Sequence, residues 1–97
     1  MFYHVVLLNL KGLDPASLTN LHGFASRMRV ELPFVREFHF GVNKATRSAQ
    51  YGWTVVASFD NENDHERYQV SDVHQQMKAF LTPFIEDIVV ADVETGQ

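Results

Sequence analysis

Three side chains in this sequence could move or hold a proton: His4, Tyr68 and His74. A neutral imidazole accepts a proton near pH 7, and a phenol donates a hydrogen bond to a carbonyl or enolate oxygen. Placed around one cavity, the three would suit acid–base chemistry next to a carbonyl group. His74 would abstract a proton, Tyr68 would stabilise the developing oxyanion, and His4 would orient a neighbour or relay the proton.

The same residues also have structural interpretations. His4 lies among valines and leucines of a predicted strand, where it could be a core histidine hydrogen-bonded to the backbone or to a helix. His74 falls in the first turn of a predicted helix, whose N-terminus lowers the pKa of a histidine, and it could cap or pack that helix. Tyr68 could give its ring to the core and its hydroxyl to water. The sequence leaves both interpretations open.

Aromatic residues elsewhere in the chain could form the walls of an apolar pocket: Trp53, Phe24, Phe80 and Phe84. The alternative is that they are ordinary core residues, because aromatic side chains usually pack. The remaining histidines are expected in water-accessible positions and receive no role: His22, His39 and His65.

Several classes of protein are disfavoured by composition and motifs. The 97-residue chain has no cysteine, no histidine pair at helical spacing, no glycine-rich phosphate loop and no Gly-x-Ser-x-Gly elbow. A metal ion could in principle be ligated by His4 and His74 with a carboxylate, but their spacing matches no metal-binding motif. We therefore expect no metal and no cofactor. A net charge of −4 without a basic stripe argues against nucleic acid as a partner.

No apolar run approaches the ~20 residues of a membrane span, and no signal peptide is visible, so we expect a cytoplasmic protein.

The elements that must position these side chains follow from hydrophobic periodicity and capping signals. Asp14-Pro15 marks one helix start, Asp60-Asn61 a second, and Ser71 or Asp72 a third. Strands are predicted at 2–10, 34–43, 51–59 and 85–94, and helices at 15–32, about 62–70 and 72–81. The order β-α-β-β-α-α-β predicts an α+β, ferredoxin-like domain over residues 1–97. It would have a four-stranded antiparallel sheet with helices on one face.

Three of the four predicted strands are apolar on both faces. In the first strand Val6 and Leu8 point one way while Val5 and Leu7 point the other. Helices on one side cannot cover both faces, and soluble monomers rarely expose an apolar patch of several hundred Å². The sequence therefore predicts a homodimer formed by the sheet face, one copy against the other. The alternative is that the 43–50 loop or the C-terminal tail folds over this face.

In this order and at these spacings, the residues resemble those of the stress-responsive dimeric α/β-barrel (Dabb) family over nearly the whole chain. The resemblance rests on the histidine that opens strand one, the Phe59-Asp60 exit from strand three, the Tyr68 and His74 pair, and residues of less specific type: Gly41, Tyr51, Pro83, Asp87 and Asp92. One departure is that Ser71-Asp72 stands where many members have His-Pro. A role that depends on that first histidine is therefore in doubt.

The resemblance implies a homodimer whose two sheets close into a barrel. It implies less about activity, because most members have no assigned reaction. A plant polyketide cyclase of the family uses tyrosine and histidine for acid–base chemistry between sheet and helices. The wider superfamily includes cofactor-free monooxygenases and haem-degrading enzymes.

Three functions remain open. The first, which we favour, is a module that binds a small apolar carbonyl-bearing molecule without turnover. The second is a cofactor-independent enzyme, polyketide cyclase-like or monooxygenase-like, using Tyr68 and His74 with His4. The third is an assembly unit with a filled interior, and such a unit would have no cavity.

Overall fold

The computed structural model describes residues 1–96, so Gln97, the last residue of the predicted domain, lies outside the described residues. Its elements follow the predicted order. The strands are β1 (Phe2–Leu10), β2 (Val35–Val42), β3 (Trp53–Phe59) and β4 (Ile85–Glu94). The helices are α1 (Pro15–Glu31), α2 (Glu62–Gln69) and α3 (Asp72–Leu81), and a single 3₁₀ turn (Thr82–Phe84) follows α3.

All three helices begin at a residue whose side chain accepts a hydrogen bond from the first turn, as the sequence indicates. Asp14 accepts from the Ser17 amide at 2.7 Å, and Asn61 accepts from the Asp64 amide at 2.9 Å. Ser71, rather than Asp72, caps α3. Asp60 is not a cap, because its carboxylate accepts two hydrogen bonds from the Arg36 guanidinium.

The hairpin between β2 and β3 is shorter than predicted. Tyr51 and Gly52 are predicted in the third strand, but the ladder ends at Val42 and Trp53. The Asn43 side chain donates instead to the Tyr51 carbonyl at 2.9 Å, and this bond closes the loop. An amide side chain that binds nearby backbone competes with the ladder in this way.

The four strands form one antiparallel sheet in the order β2-β3-β1-β4. The predicted α+β, ferredoxin-like fold is confirmed. The register pairs His4 with Ala57 on one side and with Asp92 on the other, so these three residues share one face of the sheet. That face carries the core, since the helices pack on it and bury side chains such as Leu8, Phe38 and Phe59.

The helices cover the sheet unevenly. They contact β2 and β3 more than β4, which is the edge strand and is exposed along nearly its whole length. Ile88 and Val90 therefore remain about half exposed although they point toward the helical side. In the part of the chain that the structure describes, no helix lies on the opposite face of the sheet. Within residues 1–96, no helix has the length and apolar character needed to cross a membrane.

Candidate functional site

A cavity of about 250 Å³ lies between the sheet and α3. Its walls are mainly apolar side chains from every strand and from α3: Val6, Leu8, Phe38, Val55, Met77, Leu81, Ile85, Ile88 and Val90. Its polar lining consists of His4, Tyr68, Gln69, His74, Lys78 and Thr82. Apolar walls with a few convergent polar groups are typical of small-molecule sites.

His74 is held by the start of α3. The Ser71 hydroxyl oxygen accepts a hydrogen bond from the His74 amide at 3.3 Å, while the same hydroxyl donates to the Tyr68 carbonyl at 2.7 Å. The ring Nδ1 of His74 lies 2.9 Å from the Gln69 carbonyl oxygen. Because a carbonyl can only accept, Nδ1 carries the hydrogen, and Nε2 of the neutral ring keeps a lone pair.

Burial lowers the pKa of His74, and positive charge on Lys78 and His4 lowers it further, while the bond to the Gln69 carbonyl acts in the opposite direction. A histidine in this state is a neutral proton acceptor near pH 7.

Tyr68 is buried and lies against His74, with 4.5 Å between their ring centroids. Burial raises the pKa of Tyr68 far above its ordinary value, and the negative charge of Asp92 adds to this. The phenol therefore stays protonated at any ordinary pH and can only donate or accept a hydrogen bond. Tyr68 and His74 together bring a donor and a proton acceptor to one cavity.

His4 pairs with a carboxylate across the sheet. Its Nδ1 lies 2.6 Å from Oδ1 of Asp92, the residue directly opposite on β4. His4 is buried, whereas the Asp92 side chain retains 37% of its exposure. Because a carboxylate can only accept, Nδ1 carries a hydrogen, and this bond fixes the orientation of the His4 ring.

The family model of the stress-responsive A/B barrel domain matches residues 2–95. This chain belongs to the Dabb family.

Several solved structures share the fold of this chain. A dimeric ferredoxin-like protein of unknown function from Jannaschia sp. CCS1 is 24% identical, with a TM-score of 0.84 over 97% of this chain and 98% of the other. A second such protein, from Thermobifida fusca, is 21% identical, with a TM-score of 0.82 over 97% and 90%. The hydroxynitrile lyase of Passiflora edulis is 16% identical, with a TM-score of 0.84 over 99% and 94%. No curated protein sequence matches this Dabb domain.

Four aromatic residues predicted to wall a pocket are not among the residues that line this cavity: Trp53, Phe24, Phe80 and Phe84. They are half-buried and pack at the margin of the core, partly on one another. Phe80 contacts both Phe24 and Phe84, with ring centroids 5.8 and 5.7 Å apart, and Trp53 stacks on Phe40 at 5.4 Å. Aromatic contacts of this kind bury part of each ring without a ligand.

The prediction of a water-accessible His65 was also wrong. His65 is 5% exposed, whereas His22 and His39 are exposed as expected. Its ring lies 4.6 Å from the His4 ring and 5.8 Å from the Tyr68 ring, centroid to centroid. Burial lowers the pKa of His65, and positive charge on His4 lowers it further. The signal that could have found it is its spacing, since His65 precedes Tyr68 by three residues and so shares a helix face with it.

Proposed function

We propose that this Dabb domain binds a small, apolar, carbonyl-bearing molecule in the cavity between the sheet and α3, and that it acts as a homodimer in the cytoplasm. The observation that carries the binding proposal is the cavity's composition, in which apolar walls surround one phenol and two imidazoles. Such a pocket suits a ligand with an apolar body and one oxygen that accepts a hydrogen bond. An open cavity argues against a unit that serves assembly alone.

The dimer is supported by the helix-free face of the sheet. Its exposed apolar side chains, with relative exposures of 37–57%, are Tyr3, Val56, Val89 and Val93. Val5 and Leu7 lie between them and are half-buried. A contiguous apolar face of this kind is typical of an interface, and a second copy related by two-fold symmetry would match it. The relatives from Jannaschia and Thermobifida fusca, described as dimeric, have the same fold.

Binding is tested by calorimetry and thermal denaturation with acetophenone and 2-nonanone as probes. Val90→Trp places an indole at the cavity, where the native side chain is half exposed, so the fold should tolerate it. Val30→Trp, on an exposed part of α1, is the matched control. We expect both ketones to bind the wild type and Val30→Trp and to lose affinity for Val90→Trp. Equal binding to all three proteins would contradict the proposed site.

A second candidate is a cofactor-independent acid–base enzyme, favoured by the contact between Tyr68 and His74. Nε2 of His74 would take a proton from the carbon next to the substrate carbonyl. The electron pair of that C–H bond would form the enolate double bond, and the enolate oxygen would accept a hydrogen bond from Tyr68. His4 would orient the Tyr68 ring, because the centroids of the two rings lie 5.9 Å apart.

Turnover is tested by following loss of the acetophenone methyl proton signal in D₂O by NMR. Because one relative of the same fold is a hydroxynitrile lyase, cleavage of an aromatic cyanohydrin is the second assay. Exchange or cleavage above the buffer rate, lost in His74→Gln, would establish an enzyme. Binding with no turnover in either assay would leave the binding module as the function.

A further inference from the structure

The side chains of His4, His65 and Asp92 place one possible metal-ligating atom each within 4.8 Å of one another. They come from three elements that are distant in the chain: β1, α2 and β4. We propose that this cluster is a divalent metal site of the two-histidine, one-carboxylate type, suited to Zn²⁺ or a similar transition metal. The proposal does not rest on the ligand-binding function, although His4 also lines the cavity, because its test needs only the ion and these three side chains.

The chemistry of the donor set fits such an ion. Two imidazole nitrogens and one carboxylate oxygen are ligands that Zn²⁺, Co²⁺ and Ni²⁺ accept, whereas Mg²⁺ and Ca²⁺ prefer oxygen alone. Both histidines are 5% exposed, and a metal ion binds the unprotonated nitrogen of an imidazole. Asp92 supplies the negative charge that would offset part of the ion's charge.

The His4–Asp92 distance requires only a small adjustment, and the ligand atom of His65 lies within 4.8 Å of the other two. Tetrahedral Zn²⁺ with bonds of about 2.0–2.1 Å holds its ligand atoms roughly 3.4 Å apart. The His4 Nδ1 to Asp92 Oδ1 distance is 2.6 Å, so the ion would take the place of the hydrogen between them, which the imidazole would then carry on Nε2, as the carboxylate moves outward by less than about 1 Å. Asp92 can make that movement because it lies on the edge strand with a partly exposed side chain. The same exposure gives the ion a path of entry.

His65 supports the proposal because its present partner is weak. The hydrogen bond found for its ring runs from the Gln69 side-chain amide to Nε2 at 3.5 Å, the outer limit for such a bond. The ring is otherwise held by aromatic neighbours, stacking on Phe2 at 4.7 Å between centroids. A buried imidazole with so little polar contact gains a strong bond if it ligates an ion.

The test is calorimetric titration of Zn²⁺ into the full chain, free of any affinity tag and treated first with a chelator. We expect one ion per chain, and at least about tenfold weaker binding in both His65→Phe and Asp92→Asn. His22→Ala removes an exposed histidine outside the cluster and should bind as the wild type does. Mg²⁺ at the same concentration should not bind.

Thermal denaturation supplies the second readout. Zn²⁺ should raise the melting temperature of the wild type with increasing concentration, because it binds the folded chain, and should leave that of Asp92→Asn unchanged. If His65→Phe fails to fold, Asp92→Asn alone tests the proposal, since that side chain is more exposed. No binding by the wild type, equal binding by Asp92→Asn, or loss of binding in His22→Ala would overturn it.

Discussion

His4 of β1 and Asp92 of β4 face each other across the antiparallel pairing, with 2.6 Å between Nδ1 and Oδ1. The contact explains why an edge strand carries a carboxylate on the face that elsewhere forms the core. An inward-pointing charge discourages the edge from pairing with another chain, and its imidazole partner offsets the cost of partial burial.

Asp92→Asn should lower the free energy of unfolding by about 1 kcal/mol, because it weakens a charge-assisted hydrogen bond that remains partly screened by water. Urea unfolding at pH 7.5 measures the effect. Glu86→Gln, an exposed carboxylate on the same strand, is the control and should change little. Equal stability of the two variants would mean that the His4 contact is not formed in solution.

Acid should destabilise the fold through His65 and His74. Burial lowers the pKa of both below the ordinary 6.5, so near that pH the unfolded chain binds protons that the folded chain does not. The stability that these two histidines contribute to the folded state is fully present above pH 6.5. It is lost as the pH falls through their lowered pKa values. Urea unfolding between pH 7.5 and 5 should show this decline, and it should be shallower in His65→Phe. An unchanged slope in that variant would show that its imidazole titrates normally.

Ser71→Ala should cost about 1 kcal/mol of stability, because it removes the cap of α3. It should also weaken ketone binding, since Ser71 ties the His74 amide to the Tyr68 carbonyl. Ser71→Thr keeps the hydroxyl and should restore both properties. If Ser71→Ala binds ketones as the wild type does, the cap serves the helix and has no part in placing His74.

The enzymatic candidate makes a prediction about two side chains. His74→Gln should slow α-proton exchange by roughly 10²–10⁴-fold, the usual contribution of a general base. Tyr68→Phe should slow it by roughly 10²–10³-fold, the usual effect of losing one oxyanion donor. Neither change should lower the melting temperature much. Tyr68→Phe keeps the volume of the ring, and His74→Gln keeps the contacts of the helix. A large loss of melting temperature in His74→Gln with unchanged exchange would make that histidine structural.

The dimer makes a separate prediction. Val89→Glu puts a charge on the helix-free face of the sheet and should yield monomers in light scattering after size-exclusion chromatography. Val30→Glu, on exposed α1, is the matched control and should remain dimeric. A dimeric Val89→Glu would place the interface elsewhere.

The sequence predicted the fold well because each element carries its own local signal. A run of β-branched and aromatic residues marks β1, and Asp14 and Ser71 begin helices with side chains that accept a hydrogen bond from the first turn. His4, Tyr68 and His74, which the sequence singles out as candidates, line the cavity between the sheet and α3.

The errors have a common physical cause, since they depend on contacts between distant elements. His65 belongs to a short, polar helix whose buried face is narrow, so it has a weak periodic signal. Asp92 reaches His4 only through the β1–β4 register, which a strand pattern does not specify. Phe80 packs on its aromatic neighbours because α3 turns that side chain away from the cavity lining.

The most direct test of the central claim is a methyl NMR titration of protein labelled at Ile, Leu, Val and Met with acetophenone. The account predicts concentration-dependent shifts at the cavity methyl groups of Met77, Leu81 and Ile88, and none at Val93 on the opposite face. Shifts confined to the helix-free face, or no shifts at any methyl group, would contradict a ligand site between the sheet and α3.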